Sequence, residues 1–175
     1  AALSTSTLIS ELNGGGGLTL GDINIINGAA SGVVSLSSAT TIGSVIKLIN
    51  NAGHNVTASI NSAGNSLQVI SKNSSTVAVV NNIGTYMTAE ELGIGGGRNV
   101  INTIIKLKQA MQKDDTFAIL ASLNNLDSGM ENVNDSRAIY GSITRRLDST
   151  ELSHQQDIVN QNEQILNIEG ADMVE

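Results

Sequence analysis

From about residue 116 to residue 168 the chain repeats apolar residues every seven positions, with no proline to interrupt them. That stretch limits what the rest can be. Counting in sevens from Ile119 gives Leu126, Val133, Tyr140, Leu147, His154, Gln161 and Ile168, and a companion row gives Leu123, Met130, Arg137, Thr144, Glu151, Ile158 and Ile165. Both rows are apolar at their ends, and the second turns polar in the middle, which is the pattern of a coiled-coil-like face with a wet centre. A continuous helix over that span rises on the order of 80 Å. A shorter helix is predicted before it, over 98–115, from Val100, Ile101, Ile104, Ile105 and Leu107, followed by Ala110 and Met111, with Asp114 or Asp115 capping the next helix. One short helix cannot cover so long a seam. Something else is expected to lie along it, either a segment outside this chain or another subunit.

The first half has a different grammar. Up to about residue 97 it is rich in Gly, Ser, Thr and Asn, and the change falls at "GIGGGRN", residues 93–99, where successive glycines read as a boundary. "TLISELN", residues 7–13, predicts a short helix ended by "GGGG", residues 14–17. "LTLGDINIING", residues 18–28, alternates Leu18 and Leu20, then Ile23 and Ile25, around Gly21-Asp22, which predicts a hairpin, and "GVVSLS", residues 32–37, reads as a further strand. From Thr41 as N-cap, Ile42, Val45, Ile46 and Ile49 form one apolar helical face that Gly53 would end. Val56, Ala58 and Ile60 then alternate with polar residues; "NSAGN", residues 61–65, turns the chain; and "SLQVIS", residues 66–71, returns as the partner strand. In the Ile-Asn pairs of this region each Ile is expected in the core and each Asn at a helix end or turn.

Composition narrows the function more than it identifies it. In 175 residues there is no Cys, Pro or Trp, and aromatic residues make up 2%, so the core must be aliphatic. A net charge of −7 with nine Lys and Arg leaves no basic patch for nucleic acid or an anionic membrane. No apolar run approaches the roughly 18 residues of a membrane-spanning helix. His54 and His154 have no second ligand at metal spacing, so turn and surface roles explain them. The glycine runs lack the Lys-Ser/Thr pair or strand-to-helix context of a phosphate loop. Glu90-Glu91 and Asp114-Asp115 are explained first by helix capping. The sequons at Asn55, Asn73 and Asn134 are chance-level in an Asn/Ser-rich chain. No base is placed to activate a Ser or Thr, so neither an enzyme nor a cofactor is expected.

"LNGGGGLTLGDINI" leading to "VVSLSSATTIGSVIKLINNAGHNVTASINSAGNSLQVIS" resembles the flagellin-hook Ile-Asn motif domain of axial proteins of the bacterial flagellum, over about residues 7–71. "TAEELGI", residues 88–94, is similar to the segment that often follows it. "NVINTIIKLKQAM" (99–111), "SLNNLDSGMENVNDSRAIYGSITRRLDST" (122–150) and "ILNIEGADMVE" (165–175) resemble the C-terminal helical region of the flagellin family, the first being closer to the flagellin-like proteins of the hook–filament junction. Gly170 departs from the acidic residue more usual before the Ala-Asp pair. The resemblance implies that an N-terminal helix, antiparallel to the long one, and a terminal assembly segment lie outside this sequence, and that the chain as it stands is monomeric.

The expected fold is α+β: a small β-rich module, residues 1–95, inserted on an elongated antiparallel, coiled-coil-like helical rod, residues 96–175. The expected function, as the resemblance implies, is structural. Such a subunit joins hook to filament, is exported by the flagellar type III pathway with an export chaperone as a possible partner, and works outside the cell by packing against other axial proteins and copies of itself. Leu123, Leu126, Met130, Val133, Tyr140 and Leu147 are the packing residues, and Arg137, Arg145 and Arg146 are candidates for ion pairs between helices. Filament flagellin is one alternative. A surface adhesive whose Asn/Ser/Thr-rich hairpins bind a glycan is another, of a different class.

Overall fold

The computed structural model describes residues 2–97 and 99–172; Ala1, Arg98 and the last three residues of "ILNIEGADMVE" lie outside them. The fold is α+β. Two compact units divide it, one through Asn132 and one from Val133.

Two short 3₁₀ turns, Ile9–Glu11 and Asn13–Gly15, stand where the first helix was expected. Strand β1 (Asp22–Ile26) is central in an antiparallel three-stranded sheet of order β2-β1-β5, with β2 at Gly32–Ser35 and β5 at Val79–Asn82. Ile23 faces Val34 and Asn82, and Ile25 faces Gly32 and Val80, so the two fully buried isoleucines share one face of the pleat. The hairpin expected at Gly21-Asp22 does not form. Residues 18–20 run into β1 without pairing, and the Gly21 N–H is held by the Thr88 hydroxyl at 2.8 Å, a partner 67 positions away.

Helix α1 (Ile42–Asn51) follows its local signals closely. Thr41 accepts the Ser44 N–H at 3.1 Å while Ser44 Oγ accepts the Thr41 N–H at 3.0 Å, a reciprocal cap, and Gly53 takes φ 79° just past the last turn. Ile42, Val45 and Ile49 are fully buried, each stabilising the fold by about 1.5–3 kcal/mol. The helix packs on the expected hairpin of β3 (Val56–Ile60) and β4 (Leu67–Ser71), in which Val56 pairs with Ser71 and Ile60 with Leu67 and Thr57 faces outward.

The Ile-Asn pairs show how this aliphatic core is tied. Asn50 grips the backbone of β3, donating to the Ala58 carbonyl at 3.0 Å and accepting its N–H at 2.7 Å, so here the Asn serves a strand rather than a helix end. Asn61 does serve its turn, accepting the N–H groups of Asn65 and Ser66. A third pair, Ile26-Asn27, is the most consequential. Asn27, 3% exposed, donates to the carbonyls of His54 and Asn55 and accepts the Thr76 hydroxyl at 2.7 Å. One amide joins three loops.

Strand β5 divides two cores. Val80 joins Ile23, Ile25 and the α1 face, while Val77 and Val79 meet Ala110, Ala118 and Ala121. Both faces are buried, so the run "VAVV" never alternates with polar residues and carried no strand signal. The free edge of β5 is covered. Gly96 N–H and the Asn125 amide both donate to the Val80 carbonyl, at 3.1 and 3.3 Å. The glycine run is therefore a packed strap inside the first unit. A Cβ on Gly95 would meet the Val80 carbonyl, and one on Gly97 would lie 2.5 Å from the Gly129 nitrogen. Beyond the short helix α2 (Thr88–Glu91) and this strap come α3 (Val100–Gln112) and α4 (Thr116–Asp172).

Candidate functional site

No cluster of three His, Asp or Glu side chains able to hold a metal exists among the described residues, and no helix among them is long and apolar enough to cross a membrane. Among the polar groups singled out in the sequence, Glu90 and Asp115 hold structure together, while His154 stands at the surface. His54 is half-buried and lies against Gly32, where a Cβ would come 2.5 Å from the ring Cε1. His154 is exposed on α4. Glu90 is buried and accepts the Gly97 N–H at 2.8 Å and the Asn82 amide at 3.2 Å, clamping the strap to the end of β5. Asp115 caps α4 by accepting the Ala118 N–H at 3.1 Å, and its other oxygen accepts the Val77 N–H at 2.9 Å. A carboxylate at a helix N-terminus is favoured by the helix dipole, and here it also ties the helix to the strand beside it.

The outward surfaces are more informative. Helix α3 begins at Asn99, whose side chain accepts the Asn102 N–H at 3.0 Å. It buries Thr103 and Ala110, the small side of the helix, and leaves Ile101, Ile104, Ile105 and Met111 exposed. The apolar periodicity is real, but it faces away from this unit's core. Beside it an open cleft of about 900 Å³ separates α3 from β4, lined by Gln68, Ile70, Ile101, Ile105, Lys106 and Lys113 among others. Lys106 is half-buried, and burial lowers its ammonium from the ordinary 10.5 to about 8. Its amine reaches the Ile94 carbonyl only at 3.5 Å.

The first turns of α4 pack in the same way. Ala118, Ala121, Ser122, Asn125 and Gly129 are buried, a row of small and polar residues. Gly129 is needed there, since its Cβ would lie 2.7 Å from the Gly97 carbonyl. Of the seam residues, Leu126 is half-buried and Leu123 and Met130 are exposed. In the second unit Val133, Tyr140 and Leu147 are exposed, as are Arg137, Arg145 and Arg146. From Val133 to Glu169 every residue is exposed except Gly141, which is half-buried. Ile139, Ile143, Leu152, Ile158, Ile165 and Ile168 all stand at the surface.

What sequence reasoning missed is a set of ties made by Asn27, Asn82, Glu90 and Asn125, and the second bond of Asp115 to the Val77 N–H. The bonds of Asn27, Asp115 and Asn125 to Thr76, Val77 and Val80 span about 40–50 positions, and those of Asn82 and Glu90 cross between strand, helix and strap, so no helix or strand period announces them. No protein-family model, curated protein or solved structure matches this chain.

Proposed function

We propose that this chain is a structural subunit of the bacterial flagellum, of the flagellin-like kind that joins hook to filament, and that it acts by packing against other subunits. One observation carries this reading above the others. A helix whose apolar residues are all exposed from Val133 to Ile168 gains most of its stability from a partner, because a long helix with uncovered apolar rows is marginal in water. In the assembled state the rows through Val133, Tyr140 and Leu147 are covered by other helices, as an antiparallel, coiled-coil-like rod. The β-rich module, built on aliphatic packing and amide ties, stands out from that rod as an insertion. Export by the flagellar type III pathway places the protein outside the cell, its partners are the hook-side junction protein, flagellin and its own copies, and its function requires no cofactor or catalysis. Nucleic acid and membrane are not among its partners.

A second reading rests on the open cleft between β4 and α3, lined by aliphatic and amide side chains with Lys106 and Lys113, whose size suits a sugar and fits a glycan-binding surface module. Deleting the gene in its host separates the possibilities. A junction protein leaves bare hooks and abundant unassembled flagellin in the medium. Bare hooks without flagellin identify the chain as the filament subunit itself. Normal filaments would overturn both and favour the glycan-binding module.

A further inference from the structure

The chain contains two Asn-Gly dipeptides, Asn13-Gly14 and Asn27-Gly28, in opposite surroundings. This dipeptide has an intrinsic chemistry. The backbone nitrogen of the glycine attacks the asparagine Cγ, the Cγ–N bond of the side-chain amide breaks, and ammonia leaves a five-membered succinimide. Water then opens the ring at either carbonyl, to aspartate or to isoaspartate. One water is consumed, one ammonia is released, and nothing is oxidised or reduced. The step requires a side chain free to turn onto the next nitrogen and a backbone free to follow, which a glycine without Cβ permits best.

Asn13 meets those requirements. It is exposed, with φ 54°, and is followed by Gly14 at φ 68° and Gly15 at φ 92°, around which a Cβ would meet nothing within 4 Å. The hydrogen bonds of the turn run from Gly15 and Gly17 to the Leu12 carbonyl and from Gly16 to the Asn13 carbonyl. They engage neither the Asn13 side-chain amide nor the Gly14 nitrogen. Asn27 is the reverse case. Its amide nitrogen is held by two carbonyls and its oxygen by the Thr76 hydroxyl, it is buried, and the Thr76 methyl lies 3.1 Å from where a Gly28 Cβ would be. Cyclisation there requires breaking all three bonds and opening the junction of three loops.

We propose that Asn13 is a site of spontaneous deamidation in the folded protein and that Asn27, the same dipeptide, is kept inert by its hydrogen bonds. The ageing chain thereby gains a negative charge at position 13, and in the isoaspartate form an extra methylene in the main chain, where the Leu12 carbonyl folds the glycine run back.

The test is peptide mapping by mass spectrometry of the full chain, incubated natively in mildly alkaline buffer at physiological temperature and, in parallel, in urea. Conversion at Asn13 is expected to outpace that at Asn27 by at least about ten-fold in the native sample, the factor that local protection of a buried, bonded group readily gives. In urea the two rates should converge. Thr76→Val removes one restraint and should raise the native rate at Asn27 alone. Equal rates in the native sample, or faster conversion at Asn27, would overturn the proposal, and so would a rate difference that persists unchanged in urea.

Discussion

Up to Asn132 most of the large aliphatic residues of the strands and α1 are inside, Val33 and Ile70 excepted, and polar side chains beside them tie one backbone segment to another; from Val133 on, the aliphatic residues are outside and pack on nothing within their own unit. Both regions use the same aliphatic residues, although most of the glycines fall in the first and the second is more highly charged. They differ in whether a face has something to bury against. The first region solves the absence of disulfides and of nearly all aromatic residues with long-range amide ties and close glycine contacts, which fix backbone to backbone. The second has neither, and its apolar periodicity builds no core within its own unit.

If that contrast is right, mutations of similar chemistry should have very different effects in the two regions. The largest loss is expected at the strap. Gly95→Ala drives a methyl into the Val80 carbonyl, and urea denaturation should show destabilisation of about 3 kcal/mol or more. The matched change Gly16→Ala, in the other glycine run at φ −77° with only ordinary contact to Asn13, should stay within about 0.5 kcal/mol of the parent. Next comes Asn27→Ala, which leaves the His54 and Asn55 carbonyls and the Thr76 hydroxyl without this partner and should cost about 2–3 kcal/mol in the same experiment.

A smaller effect is expected at Lys106. Its folded value of about 8 lies below the ordinary 10.5, so between those limits the unfolded chain holds the proton more tightly and unfolding takes one up. Stability therefore rises with pH through that window, and the full cost of burying the charge is present below it. Lys106→Met should flatten the rise and stabilise the chain by about 1 kcal/mol at neutral pH, measured by denaturation across a pH series. The smallest change is expected in the second region, where Leu147→Ser should alter the unfolding free energy of the chain by no more than about 0.5 kcal/mol in the same denaturation experiment.

Where sequence and structure agree, the determinants are local. Helix α1 has its Thr41 cap, its i, i+3, i+4, i+7 face and its stop at Gly53 within a dozen residues, and the β3–β4 hairpin has alternation and turn residues side by side. Asp115 was one of two candidates for the cap of α4, and it is the one that caps it. Where they part, the cause is distant. Strand β5 lacks alternation because two cores claim its two faces, and the glycine run reads as a boundary because its steric partners, Val80 and Gly129, lie 15 and about 32 positions away. The α3 face illustrates a subtler point. Its 3.6-residue period correctly announces a helix, yet period alone does not say whether the apolar side or the Thr103–Ala110 side meets this core. Of the candidate site, the apolar rows were legible and the buried ties were not.

The most direct test of the central claim is to replace Tyr140 and Leu147 together by serine, then measure both the unfolding of the isolated chain and hook–filament assembly when the same changes are carried by the intact protein in its host. Unchanged unfolding of the chain combined with loss of filament attachment is the predicted result, since these side chains are exposed here and, under the proposed function, become covered on assembly. Normal filaments with normal motility would contradict the account, because the exposed rows would then carry no subunit contact.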